Sequence, residues 1–168
     1  TSTNMNTNEV IANRANQLLG GKAGEYAPIH PNDHVNRSQS TNDVYPTAIQ
    51  LAVLAAAEPT LAALVHLERT LEEKAASLGE LERIGRTCLQ DALPLPAAAA
   101  HRAQATALAR VRADLEGSLG ALRHVSLGAT VIGTGFGAPD GYRERVVALL
   151  AEGSGLELVS NDDLFDAL

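Results

Sequence analysis

Three short stretches gather side chains able to hold an anion and act on it. The first is Thr1-Ser2-Thr3-Asn4-Met5-Asn6-Thr7-Asn8. The second begins at His30-Pro31-Asn32-Asp33-His34-Val35 and ends at Gln39-Ser40-Thr41-Asn42-Asp43, and the third is Gly85-Arg86-Thr87-Cys88-Leu89-Gln90-Asp91-Ala92. Each is rich in hydroxyls and carboxamides, and each is expected to border a helix. Such donors at a helix N-terminus, aided by free backbone N–H groups and the helix dipole, make a place for a carboxylate. The same residue types also cap helices and hold turns, so composition leaves both readings open. His34, His66, His101 and His124 lack metal-ligand spacing with one another, and no metal site is expected. Residues 127–135 carry three glycines but lack the Gly-Lys-Ser/Thr ending of a phosphate loop, so a turn-rich connection is expected there.

Helices must position these clusters. Val10, Ile11, Ala15, Leu18 and Leu19 recur at helical spacing over residues 8–19, with Gly20-Gly21 as the stop. An irregular stretch over residues 22–39 follows, rich in Asn and Pro. A long helix is expected over residues 42–77, with N-cap candidates among Ser40-Thr41-Asn42-Asp43 and apolar positions from Ile49 to Leu78. Pro59 is expected to kink it. A second long helix is expected over residues 97–125, a short one after Asp140, and another from Ser160 or Asn161. The first long helix would span roughly 54 Å, whereas a globule of this size has a diameter near 40 Å, estimated roughly from its radius of gyration. Its apolar face must then pack along other long helices, some from other chains.

The totals narrow the function classes. Thirteen basic against twenty acidic residues leave a formal charge of -7 in 168 residues, which speaks against nucleic acid and against an anionic membrane surface. No apolar run approaches the length of a membrane span, and the polar N-terminus is no signal peptide. Aromatic residues are only 3% and Trp is absent, so Ala and Leu supply the apolar content and favour helix. Cys88 is the single cysteine, which points to a reducing, cytoplasmic setting. The chain opens on Thr1 in mid-pattern, and it is expected to be cut from a longer one.

At the polar clusters the sequence resembles the aspartase/fumarase superfamily. Residues 1–12 resemble G-T-S-x-N-M-N-x-N-E-V-x-A-N, entered after its glycine. Residues 30–46 resemble H/N-P-N-D-x-V-N-x-x-Q-S-S/T-N-D-x-x-P. Residues 84–94 resemble G-R-T-H/Q-L-Q-D-A-x-P, and residues 127–135 resemble L-G-A-T-A-x-G-T-G. Four motifs in the family's order cover nearly the whole chain.

The resemblance implies an all-α, long-helix bundle that is incomplete in this chain, with residues 1–38 ending an N-terminal domain and residues 39–168 starting the central bundle. It implies elimination of ammonia or water from a four-carbon dicarboxylate to give fumarate, with no cofactor. It also implies a homotetramer whose active sites are shared between subunits. By position, Thr1, Ser40, Thr41, Asn42 and Thr87 would bind the substrate carboxylates, and His30, Asn32 and Asp33 would form a second anion site. Cys88 stands at the catalytic position where relatives carry His or Gln, and a thiol substitutes poorly for imidazole in proton transfer. The segment from Pro96 to His101 also departs from the family's polar pattern.

An aspartate ammonia-lyase is the leading expectation, from Thr1-Ser2-Thr3, Asp33-His34-Val35, Gln39-Ser40-Thr41-Asn42 and Pro139. His30 leans towards fumarate hydratase, the alternative, and a catalytically inactive helical paralogue is the other. The family's catalytic Ser lies in a loop of pattern G-S-S-x-M-P-x-K-x-N-P that these residues do not include. The 168-residue chain alone is therefore expected to have no lyase activity.

Overall fold

Four α-helices dominate the described residues: α1 (Ser2–Leu18), α2 (Thr41–Ser77), α3 (Ala98–Ala121) and α4 (Tyr142–Ser154). Two small sheets accompany them. Strands β1 (Glu82–Thr87) and β2 (Gln90–Pro96) form an antiparallel hairpin, while β3 (His124–Val125) and β4 (Val159–Ser160) pair in parallel. This computed structural model describes residues 1–167. The long-helix class expected from the sequence is the class found.

The chain divides into two compact units, one of Thr1–Val53 with Leu122–Leu168 and one of 54–121. In the first, the buried apolar residues are Ala12, Val125, Leu127, Ala129, Val147, Leu158 and Leu164. Polar residues share that interior: Asn4, Asn8, Asn16, Asp43, Thr47, Ser126 and Thr130. Asn16 shows why this is tolerable, since its side chain donates to the Ile29 and Glu25 carbonyls and accepts from Ile29 N, at 2.7–2.8 Å. Buried amides with partners of this kind escape the desolvation penalty.

The interior of α1 corrects the sequence reading. The buried stripe is Asn4, Asn8, Ala12 and Asn16, at spacing of four, while Val10, Ile11, Leu18 and Leu19 are exposed. The helix also starts at Ser2, six residues before the expected Asn8. Hydrophobic periodicity picked the face of α1 that nothing in this unit covers.

In the second unit the buried residues are Ala75, Ala98, Ala105 and Gly85, whose small size lets backbones approach closely. Arg112 of α3 forks between Glu68 of α2 and Glu116, at 2.8 Å to each. These two carboxylates hold its guanidinium well above its ordinary range. The β1–β2 hairpin was not foreseen. Its loop residues, Cys88 and Leu89, have φ of 47° and 62°, the backbone of a two-residue I′ turn without the Asn-Gly pair that advertises one. Among the described residues no helix starts at Ser160 or Asn161: Ser160 ends β4, paired with β3, and the residues from 161 to 167 form bends and turns.

Helix α2 runs unbroken through Pro59. An 18-residue window of it has a mean hydropathy of 1.7, long and apolar enough to cross a membrane by length and composition. The sequence reading missed this because Gln50, Glu58 and Pro59 break the apolar run, although the surrounding Ala, Leu and Val keep the window mean at 1.7. None of the window is buried in this chain, and Ile49, Val53, Val65 and Leu67 of this helix are exposed.

Candidate functional site

The N-terminus of α2 is built as a reciprocal cap. Ser40 Oγ accepts from Asn42 N at 3.2 Å, and Asp43 Oδ1 accepts from Ser40 N at 3.0 Å. This is the capping-box arrangement with Asp in the third position. Because Ser40 Oγ serves the helix as acceptor, its hydroxyl proton is left free to donate elsewhere. Pro46 is the sixth residue of the helix, past the N–H groups that lack a helical acceptor, so its ring removes one early helical bond.

Asp43 ties this cap to a distant loop. Its other carboxylate oxygen accepts from Gly128 N at 3.0 Å and Thr130 N at 2.8 Å. The side chain is fully buried, so three charge-assisted backbone bonds replace its water. The Thr47 hydroxyl donates to the Asp43 carbonyl at 2.8 Å, and Asn42 Nδ2 donates to Val131 O at 2.7 Å. The 126–131 loop is thus pinned beneath the start of α2. Gly128 lies at φ 97° and a Cβ there would meet Arg143 Cβ and Cγ at 2.9 Å, so close packing of α4 demands glycine. Thr130 holds φ 60°, and its Oγ1 and the Tyr142 hydroxyl are buried without partners. Burial, and then the charge of Asp43, raise the Tyr142 hydroxyl above its ordinary value.

Helix α1 meets α2 at the same place. The Thr41 hydroxyl donates to Asn4 Oδ1 at 2.8 Å, and Asn8 Nδ2 donates to Asn36 Oδ1 at 2.9 Å. Asn4 lies in the first turn of α1, whose N-cap is Thr1, exposed and making no side-chain cap bond. Two helix starts therefore converge, with Thr1 on one and Ser40, Thr41 and Asn42 on the other. Such paired N-termini present N–H groups and hydroxyls of one electrostatic sign, suited to an anion with oxygens to share.

The other sequence candidates fall elsewhere. Thr87 and Cys88 belong to the second unit, Thr87 pairing with Gln90 across the hairpin turn and Cys88 exposed in the turn itself. His30 caps a π-helical turn, Pro31–Val35, by accepting from Asn32 N and Asp33 N at 3.2 Å through Nδ1. Asp33 Oδ2 lies 3.4 Å from the same nitrogen. The backbone donors of that turn are thus already engaged by imidazole. Among the described residues no group of three His, Cys, Asp or Glu side chains is placed to hold a metal ion.

Sequence reasoning quoted Asn4 inside a motif without a part of its own and named Asp43 only among the N-cap candidates of α2. The Ser40-x-x-Asp43 spacing was the available signal for Asp43, and the recurrence of Asn at positions 4, 8 and 16 was the signal for α1.

A family model described as "Lyase" matches residues 1–168. The class II fumarate hydratase of Thermosynechococcus vestitus is 48% identical over all of this chain and 36% of its own length. The aspartate ammonia-lyase of Corynebacterium glutamicum is 46% identical over 99% of this chain and 32% of its own length. Further class II fumarate hydratases match at 41–46% identity. A crystal structure of a fumarate lyase:delta crystallin from Brucella melitensis, bound to cobalt, superposes with a TM-score of 0.94 at 45% identity, over 99% of this chain and 36% of that one. The chain spans roughly a third of the length of the curated relatives it matches.

Proposed function

The chain belongs to the aspartase/fumarase superfamily of lyases, and from that premise we propose that it is part of a fumarate hydratase, interconverting malate and fumarate. The single observation behind this reading is the convergence of two helix starts at the Thr41–Asn4 contact, in the segments that carry the family's motifs. Removing a proton beside a carboxylate loads that carboxylate with a second negative charge. Donors fixed beforehand at its oxygens lower the barrier, because they need no reorganisation during the reaction. Thr1, Ser40, Thr41 and Asn42 would supply such donors, with Thr87 joining from a hairpin of the assembly. The catalytic base would come from a loop outside these residues.

The relatives shift the choice of substrate. Sequence details such as Asp33-His34-Val35 favoured aspartate, but similar proteins are mostly class II fumarate hydratases. Aspartate ammonia-lyase remains the second reading on the 46% identity to one such enzyme. A second anion site at His30, Asn32 and Asp33 would have to use the outer nitrogen of His30, since Nδ1 serves the turn. Cys88 would stand beside the reaction as a weak hydrogen-bonding group rather than a proton carrier.

Assembly belongs to the same proposal. An open apolar groove of about 440 Å³ runs between Leu67 and Leu71 of α2 and Ala107, Leu108 and Val111 of α3, and exposed Ile49 and Val53 leave α2 uncovered. Long helices from other protomers of a homotetramer would fill these surfaces. A reducing, cytoplasmic setting fits the exposed, unpaired Cys88.

The test is an assay of the complete open reading frame that contains this segment, with malate, fumarate and aspartate supplied separately. Hydration of fumarate is expected. Ammonia release from aspartate without malate turnover would install the second reading, and inertness to all three would remove both.

A further inference from the structure

The contact between Thr41 and Asn4 raises a conflict over one proton. A threonine hydroxyl has a single hydrogen, and here it is spent on Asn4 Oδ1 at 2.8 Å. In that state Thr41 can offer a carboxylate only lone pairs, which repel it. Asn4 is more than nine-tenths buried, so its amide is held against Thr41 and cannot swing into water. A carboxamide, however, is nearly symmetric in shape, and turning it end for end exchanges an acceptor for an N–H donor in the same place.

We propose that Asn4 is a positioning residue that sets the direction of the Thr41 hydroxyl. In one orientation of the amide its oxygen takes the Thr41 proton, at 2.8 Å. With a carboxylate bound, the amide is reversed, Nδ2 donates to Thr41 Oγ1, and the freed proton points at the anion. The net exchange is one hydrogen bond for another, with no proton leaving either residue. This inference rests on the lyase reading, because it gives Thr41 a carboxylate to meet. It also explains why the interior of α1 is lined with asparagine at this point, where an apolar side chain would pack as well but could not reverse polarity.

The experiment crosses Asn4→Ala with Thr41→Val in the complete protein and measures KM and kcat for malate. In the presence of Thr41, loss of Asn4 is expected to lower kcat/KM by about fivefold, mainly through KM, the usual scale for the one neutral hydrogen bond, Nδ2 to Oγ1, that the change removes. In the Thr41→Val background the same change should cost less than about twofold, because there is no hydroxyl left to direct. Equal losses in the two backgrounds, or none in either, overturn the proposal. Asn4→Asp keeps the shape and serves where the alanine variant does not fold. An ionised carboxylate can only accept, so KM should rise relative to the parent and the ratio should fall as acid protonates Asp and restores a donor. A KM ratio independent of pH overturns the proposal as well. Failure of the unmutated protein to turn over malate, fumarate or aspartate removes the lyase reading and this inference together, whereas an active parent with additive losses removes this inference alone.

Discussion

Asp43 owes its burial to donors more than eighty positions away in the chain, Gly128 N and Thr130 N. No local pattern could have announced that pairing, although the spacing from Ser40 was legible as a cap. Its dependence on Gly128 gives a direct prediction. Gly128→Ala forces a left-handed residue to carry a Cβ against Arg143, and is expected to destabilise the complete protein by about 2–3 kcal/mol, read as a lower thermal midpoint. An unchanged midpoint would mean the loop accommodates the methyl group. Tyr142 offers a test in alkali. Its hydroxyl is buried without a partner and its pKa is raised, so folding favours the neutral form. The unfolded chain releases this proton near pH 10.0, the ordinary tyrosine value. The Tyr142 contribution is therefore complete below that pH and is lost as pH rises towards the higher folded value. Tyr142→Phe should match or exceed the parent's stability at neutral pH, by up to about 1 kcal/mol, and should flatten the decline above about pH 10. Melting curves across that range decide it, and an equal alkaline decline in both proteins would count against the assignment.

Among the elements, α2 was the most legible, since its cap cluster and apolar recurrence are both local signals. Helix α1 was legible as a helix but not in its orientation, because its interior is a stripe of amides that a search for apolar residues passes over. The β1–β2 hairpin escaped for a different reason. Its turn positions hold Cys88 and Leu89, residue types that dislike positive φ, so no turn signal was written there. That mismatch is itself measurable. Leu89 is 91% exposed, and Leu89→Gly should relieve the turn and raise stability by about 0.5–1 kcal/mol. A thermal or denaturant midpoint that falls instead would show that Leu89 is held by contacts beyond this chain.

For the molecule as a whole, the length of α2 led to the expectation that its apolar face packs on other helices, and Ile49, Val53, Val65 and Leu67 along it are exposed in this chain. The polar clusters were legible as motifs, while their grouping was not, since Thr41 meets Asn4 across 37 positions of the sequence. In an assembly where Thr41 and Thr87 reach one site from different protomers, defects in the two positions can be separated. Co-expressing Thr41→Val with Thr87→Val, each nearly inactive alone, should restore about one quarter of the sites, because random assembly places an intact pair together with that frequency. Activity no greater than the sum of the two variants would mean that each site draws both threonines from a single protomer.

The three bonds of Asn16 carry one more consequence, visible to a solvent isotope. Ile29 lies in an irregular stretch where backbone amides ordinarily swap hydrogen for deuterium within moments, yet its N–H is clasped by a side chain sealed inside α1. Its deuterium uptake should therefore lag behind that of its neighbours and keep pace with the helix interior. A single slow amide in the loop then becomes a gauge of how often α1 lifts away.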